Sequence, residues 1–108
     1  MRATLALAQN LRLTLFTRAN CGLCDTAKRN VHQVQARKPF KYTEVDIMEP
    51  EHKAWRDVYE FDVPVLHLQK ILSPSERYPE ILAEATTKLF HRFSEEEVED
   101  AMDKADEA

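Results

Sequence analysis

Hydrophobic and polar residues alternate from Leu11 to Thr17 (LRLTLFT), a run rich in residues that suit a pleated surface. That period of two predicts a first β-strand. From Cys24 onward the period lengthens: Leu23, Ala27, Val31 and Val34 recur at near-fourfold spacing and share one helical face, with Lys28, Arg29 and Gln33 off it. The helix should stop before Pro39, because the residue preceding a proline is pushed out of the helical region. In Phe40 to Ile47 (FKYTEVDI), Phe40, Tyr42, Val45 and Ile47 alternate imperfectly with polar neighbours, which predicts a second strand. A helix of crossover length lies between the two strands, so they should run parallel.

Pro50 opens a second predicted helix, with Ala54, Trp55, Val58 and Tyr59 as its apolar set. Val63 to Leu68 (VPVLHL) reads as a third strand that begins at a proline, where a strand tolerates one best. Lys70 to Ala85 is the least regular stretch; Pro74 and Pro79 interrupt it, and Glu80 to Ala85 holds good helix formers. It is expected to be a loop insertion with a short helix. Thr87 to Phe93 (TKLFHRF) reads as the last strand. Ser94 then opens a terminal helix, with Glu97 three residues on in a capping-box pattern and Val98, Ala101, Met102 and Ala105 as the buried stripe. Met1 to Asn10 is expected to be an N-terminal extension, frayed or briefly helical. The pattern as a whole predicts an α/β fold in a single domain spanning residues 1–108, with the insertion at 70–85 before the last strand.

Composition adds limits. A chain of 108 residues with 44% hydrophobic and 31% charged residues reads as one soluble globular domain. It has no apolar run long enough to span a bilayer, so no membrane partner is expected. A formal net charge of -4 argues against a nucleic-acid partner. The charge is unevenly spread: from Ser94 on there are eight acids and one base, Lys104, which reads as the solvated face of the terminal helix. The N-terminus has no acid before Asp25 and carries Arg2, Arg12 and Arg18, as mitochondrial presequences do. Strand-like sequence from Leu11 leaves about ten residues for a leader, short of the roughly 15–30 of a targeting segment. The expectation is an intracellular, cytoplasmic monomer, with the mitochondrion as the alternative compartment.

The candidate chemistry is at Cys21 and Cys24, the only cysteines. Two cysteines three apart in a chain that reads as intracellular point to redox or metal chemistry rather than to a structural staple. Cys21 stands just before a helix, where backbone N–H groups lack partners and the helix dipole is positive. Both effects favour the thiolate and lower the thiol pKa, and the thiolate is the attacking species in disulfide exchange. Cys24, one turn inside, is more covered and can attack the resulting mixed disulfide intramolecularly. Gly22 is the only glycine, and it either admits a close approach by a partner backbone or relaxes the turn. Arg18 can add positive charge beside the thiolate or bind the carboxylate of a small thiol partner; otherwise it is a solvated loop residue. Structural zinc needs about four ligands, and His32, His52, His67 and His91 make no second close pair, so no bound metal is expected. A histidine on a strand, such as His67 or His91, is more commonly packed or hydrogen-bonded than a ligand.

Two motifs, Phe16 to Cys24 (FTRANCGLC) and Asp62-Val63-Pro64-Val65, resemble the glutaredoxin branch of the thioredoxin superfamily. Cys21 to Lys28 (CGLCDTAK), Glu44 to Ile47 (EVDI), Phe61 to Leu68 (FDVPVLHL) and His91-Arg92-Phe93 resemble a group of small glutaredoxin-like proteins more closely. The resemblance runs from about Leu11 to about Met102. It implies a mixed four-stranded sheet of order 2-1-3-4 with helices on both faces. It also implies a cis Pro64 packed against a redox-active Cys21–Cys24 disulfide, and a Val63 backbone that offers N–H and C=O to an extended thiol substrate. Arg18, Val63 and Pro64 are the substrate-binding residues it suggests. The implied activity is thiol–disulfide exchange on protein disulfides or glutathione mixed disulfides, with no tightly bound cofactor and glutathione as a co-substrate.

Three departures qualify it. Gly22 and Leu23 stand where the family usually has Pro and Tyr. Asp62 replaces a threonine, and an acid there raises the thiolate pKa if it comes close. The glycine pair that receives the glutamyl carboxylate of glutathione at a helix start is missing, since no glycine follows Gly22. Two other readings stand beside the redox one. The cysteines could ligate an iron–sulfur cluster or another soft metal. Alternatively, the fold could serve protein contact alone, through residues 70–85 or the acidic helix.

Overall fold

The structure, a computed structural model, describes residues 10–73 and 81–107. Its elements in chain order are β1 (Leu11–Thr17), α1 (Gly22–Arg37), β2 (Lys41–Asp46), a 3-10 turn (Pro50–His52), α2 (Lys53–Tyr59), β3 (Val65–Ser73), β4 (Ile81–Leu82), β5 (Thr87–Phe90) and α3 (Glu95–Glu107). β1 lies between β2, parallel to it, and β3, antiparallel to it. Both β4 and β5 pair antiparallel with β3, at Ile71–Ser73 and Val65–Leu68 respectively. The α/β class and the 2-1-3 sheet order with the last strand beside β3 are as expected, and β4 adds a fifth strand.

Alternation along the two central strands sends side chains to opposite faces and builds two cores. Leu11, Leu13 and Leu15 of β1 and Leu66 and Leu68 of β3 pack with Ala27, Val31 and Val34 of α1 and Val98, Ala101 and Met102 of α3. Phe16, Val65, Ile47 and Tyr59 form the smaller core under α2 on the other face. The capping box at the start of α3 forms in both directions: Ser94 N–H donates to Glu97 Oε1 at 2.9 Å, and Glu97 N–H donates to Ser94 Oγ at 3.1 Å. Arg37 at the end of α1 bridges Glu95 and Glu99 on α3, each at 2.8 Å, which ties the two helices of the larger core together. Among the described residues no helix is long and apolar enough to cross a membrane.

Several local expectations are corrected. α1 begins at Gly22, two residues earlier than the periodicity suggests, and its buried face is Cys24, Ala27, Val31 and Val34. Leu23 points out instead. The apolar set of α2 is only partly taken up by the core: Tyr59 is buried, Trp55 is partly exposed but packs on Phe16 and Tyr59, and Ala54 and Val58 face outward, because a two-turn helix seats just one side on the sheet. β3 begins after Pro64 and runs on to Ser73, so Lys70–Ser73 is strand and not loop. Ile81–Leu82 is strand as well, paired with the end of β3, and no helix occurs over 81–85. The rest of that expected helix and insertion, 74–80, and the extension 1–9 lie outside the described residues. β5 stops at Phe90, because His91 adopts φ 63°, a left-handed conformation that cannot continue a strand.

Candidate active site

The cysteine pair sits where β1 hands the chain to α1. Asn20 makes that turn at φ 58°, a left-handed conformation that asparagine tolerates better than most residues. Cys21 follows in extended geometry (φ -124°, ψ 105°) as the N-cap of α1, and its C=O accepts the first helical bond from Asp25 N–H at 3.1 Å. Its sulfur occupies the place of a capping oxygen and accepts from Cys24 N–H at 3.1 Å. The two sulfurs are at disulfide distance, with Cα atoms 5.2 Å apart. The pair is asymmetric: Cys24 is 1% exposed, packed under the first turn, while Cys21 is partly open to solvent. A Cβ added at Gly22 would meet nothing within 4 Å, so no internal contact requires glycine there and the space over the cysteine turn is open.

The Asp62-Val63-Pro64 segment lies at the same end of the sheet, since Phe16 of β1 pairs with Val65 of β3. The Val63–Pro64 peptide is cis and Pro64 is buried. Pro64 C=O accepts from His91 N–H at 2.8 Å, which fastens the end of β5 to this turn. Among the described residues, neither the N–H nor the C=O of Val63 has a backbone partner. The Asp62 carboxylate is 3.6 Å from Nε2 of His91. Leu23, next to the cysteines, and His91, whose N–H bonds Pro64 C=O, line one cleft of about 370 Å³ together with Asn30, Arg92, Phe93 and Ser94.

Arg18 lies on the other side of the cysteine turn. It lines a polar cleft of about 370 Å³ with Lys28, Asp25, Glu44, Asp46 and Glu49. Lys28 pairs with Glu44 at 2.7 Å, and that hydrogen bond raises the Lys28 pKa. Arg18 therefore stands among carboxylates as well as three residues from Cys21.

His67 behaves as a packed histidine. It is buried beside Phe16, ring centroids 4.7 Å apart, and its Nε2 is 2.7 Å from the Tyr59 hydroxyl. Burial, with a smaller contribution from the charge on Lys88, lowers its pKa to about 4. Among the described residues the one cluster of three side chains able to hold a metal is Glu49, Glu51 and His52, which includes neither sulfur. Local sequence does not give the exposure of Phe61, the Tyr59–His67 hydrogen bond or the Asp62–His91 contact. Phe61 had a signal, an aromatic residue directly before the Asp-Val-Pro motif and outside the expected stripe of α2; the other two depend on pairing across the fold.

A dithiol pair at a helix N-cap beside a cis-proline turn, on a mixed sheet with helices on both faces, defines a thioredoxin-like protein whose Cys21–Cys24 pair fits a redox role. The family is more specific: residues 12–103 match the Glutaredoxin-like domain (DUF836), and the chain belongs to that family. Solved structures agree on the fold. The chain is similar to protein XcR50 from X. campestris (24% identity over 86% of this chain and 97% of that one, TM-score 0.54). It is also similar to chloroplastic thioredoxin z (12% identity, 99% and 88% covered, TM-score 0.66). A third likeness is thioredoxin O2 from Arabidopsis thaliana in its oxidized state (17% identity, 95% and 84% covered, TM-score 0.60).

Proposed function

We propose that the chain is a dithiol–disulfide oxidoreductase in which Cys21 attacks and Cys24 resolves. The observation that carries this reading is the asymmetry of the pair, with a partly open Cys21 at the N-cap of α1 and a covered Cys24 behind it. In the reduced protein the Cys21 thiolate is stabilised by the Cys24 N–H and by the positive end of the helix dipole. It attacks one sulfur of a substrate disulfide, forms a mixed disulfide and expels the other sulfur as a thiolate. Cys24 then loses its proton and attacks Cys21 Sγ. This closes the Cys21–Cys24 disulfide and releases the second substrate thiolate, so two electrons pass to the substrate. An external thiol or dithiol returns the pair to its reduced form.

Protein disulfides are the better-supported substrates. A glutathione carboxylate would need free N–H groups at a helix start. Here the Ser94–Glu97 capping box takes up the N–H groups of Ser94 and Glu97 at the start of α3, and three acids, Glu95, Glu96 and Glu97, disfavour a further anion there. Val63, with both backbone groups unpaired, suits an extended peptide that adds as a short strand. Arg18 and Pro64 complete the proposed substrate-binding set.

The test compares single-cysteine variants against a protein disulfide. Cys21→Ser should abolish turnover, and Cys24→Ser should accumulate a mixed disulfide visible by mass spectrometry under non-reducing conditions. Equal residual activity in the two variants would sink the assignment of roles.

A further inference from the structure

The exposed side of α2 carries an ion pair, Lys53–Asp57 at 3.0 Å, and beside it an apolar row. Ala54, Val58 and Phe61 recur at i, i+4 and i+7 and so form one row. The row continues past the helix end through a turn in which Asp62 N–H donates to Tyr59 C=O at 2.9 Å. Phe61 is 90% exposed and Val58 60%. Among the described residues the smaller core takes Tyr59 from this helix, with Trp55 against Phe16, and neither Val58 nor Phe61 is part of it.

We propose that Val58 and Phe61 form a docking strip for the extended polypeptide segment that carries the substrate disulfide. Substrates are then protein disulfides with an apolar residue and an adjacent Lys or Arg close to the reacting cysteine. This inference rests on the dithiol reading above and adds the substrate class to it. Continuity is the first argument. Phe61 lies two residues from Val63, whose N–H and C=O are unpaired, and two residues of chain span at most about 7 Å. A strand bonded to Val63 therefore carries its next side chains to the phenyl ring.

Charge is the second argument. Phe61 is bracketed by Glu60 and Asp62; among the described residues Glu60 has no ion pair, and Asp62 has only His91, at 3.6 Å. An apolar spot with an acidic rim is complementary to an apolar residue next to a base. The third is access. The space beside Gly22 is open and Leu23 is exposed, so the cysteine turn is accessible from solvent on that side.

Binding and chemistry can be read apart. Two short labelled peptides, each with one S-methylated cysteine, differ only in carrying Leu-Lys or Ser-Ser after it, and their affinities are measured by anisotropy on the Cys21→Ser/Cys24→Ser protein. The Leu-Lys peptide should bind about tenfold more tightly, the effect of covering roughly half of one phenyl ring. Phe61→Ser should bring the ratio to about one, and Leu72→Ser, an exposed apolar residue on β3, should leave it unchanged. Equal affinities, or a ratio insensitive to Phe61→Ser, would overturn the docking strip whatever the turnover. A retained ratio with no reduction of the corresponding disulfide peptides by the unmodified protein would overturn the dithiol reading instead and uphold the strip. Self-association of the unmodified protein that Phe61→Ser abolishes, with no peptide preference, would make the strip a contact between two copies and overturn the proposal.

Discussion

Lowering the pH from 7 to 4.5 should destabilise this protein through one buried imidazole, that of His67. The ring is enclosed by Phe16, Trp55 and Tyr59 and shares its Nε2 with the Tyr59 hydroxyl at 2.7 Å. Burial first, and the charge on Lys88 second, lower its pKa from 6.5 to about 4. The fold thus favours the neutral ring, and as pH falls the unfolded chain takes up a proton before the folded one does. His67 contributes fully to stability above about pH 6.5, and the contribution is lost progressively as pH falls toward about 4. A shift of that size is worth about 2–3 kcal/mol at pH 4.5.

The measurement is urea unfolding at pH 7 and pH 4.5, on the native sequence and on His67→Gln. Glutamine keeps a partner for Tyr59 and does not titrate, while acid effects from carboxylates are common to both proteins. The native protein should therefore lose about 2–3 kcal/mol more than the variant between the two pH values. Equal losses would refute the argument, and with it the idea that Tyr59 and His67 form a dry joint between α2 and the sheet. The joint matters to the site because α2 leads directly into the Phe61–Pro64 turn.

Three further outcomes follow from the packing and the site. Ser94→Ala removes one half of the capping box and should cost about 1 kcal/mol in a denaturant titration. Leu13→Ala, at a fully buried position between α1 and α3, should cost about 2–5 kcal/mol, whereas Val58→Ala on the open face of α2 should stay within about 0.5 kcal/mol. A large loss at Val58 would return that residue to the core. If Arg18 acts on the attacking thiolate, Arg18→Gln should slow alkylation of reduced Cys21 by iodoacetamide at neutral pH; an unchanged rate would assign Arg18 to the acidic cleft alone.

Much of this protein is written in local periodicity. The alternation in LRLTLFT marks β1 to the residue, the four-residue rhythm marks the body of α1, and Ser94 with Glu97 marks the start of α3. Cys-x-x-Cys at a strand-to-helix turn and Val-Pro before a strand are also local signals, legible in the sequence itself. These features follow from chain neighbours alone, because period, capping and proline sterics act over a few residues.

What depended on the tertiary structure is everything decided by partners distant in the chain. Whether Leu23 or Cys24 turns inward depends on how α1 is rolled on the sheet; the periodicity admits both, and the roll buries the Cys24 sulfur and exposes Leu23. α2 holds apolar residues on two sides, but the sheet beneath it takes only the side of Trp55 and Tyr59, so Val58 and Phe61 stay exposed. β4 is two residues long and exists only because the end of β3 offers it an edge, which no local pattern can announce. His67 owes its lowered pKa to Tyr59 and Phe16, which reach it from α2 and β1. Periodicity specifies which side chains share a row; only the packed neighbours specify which row is dry.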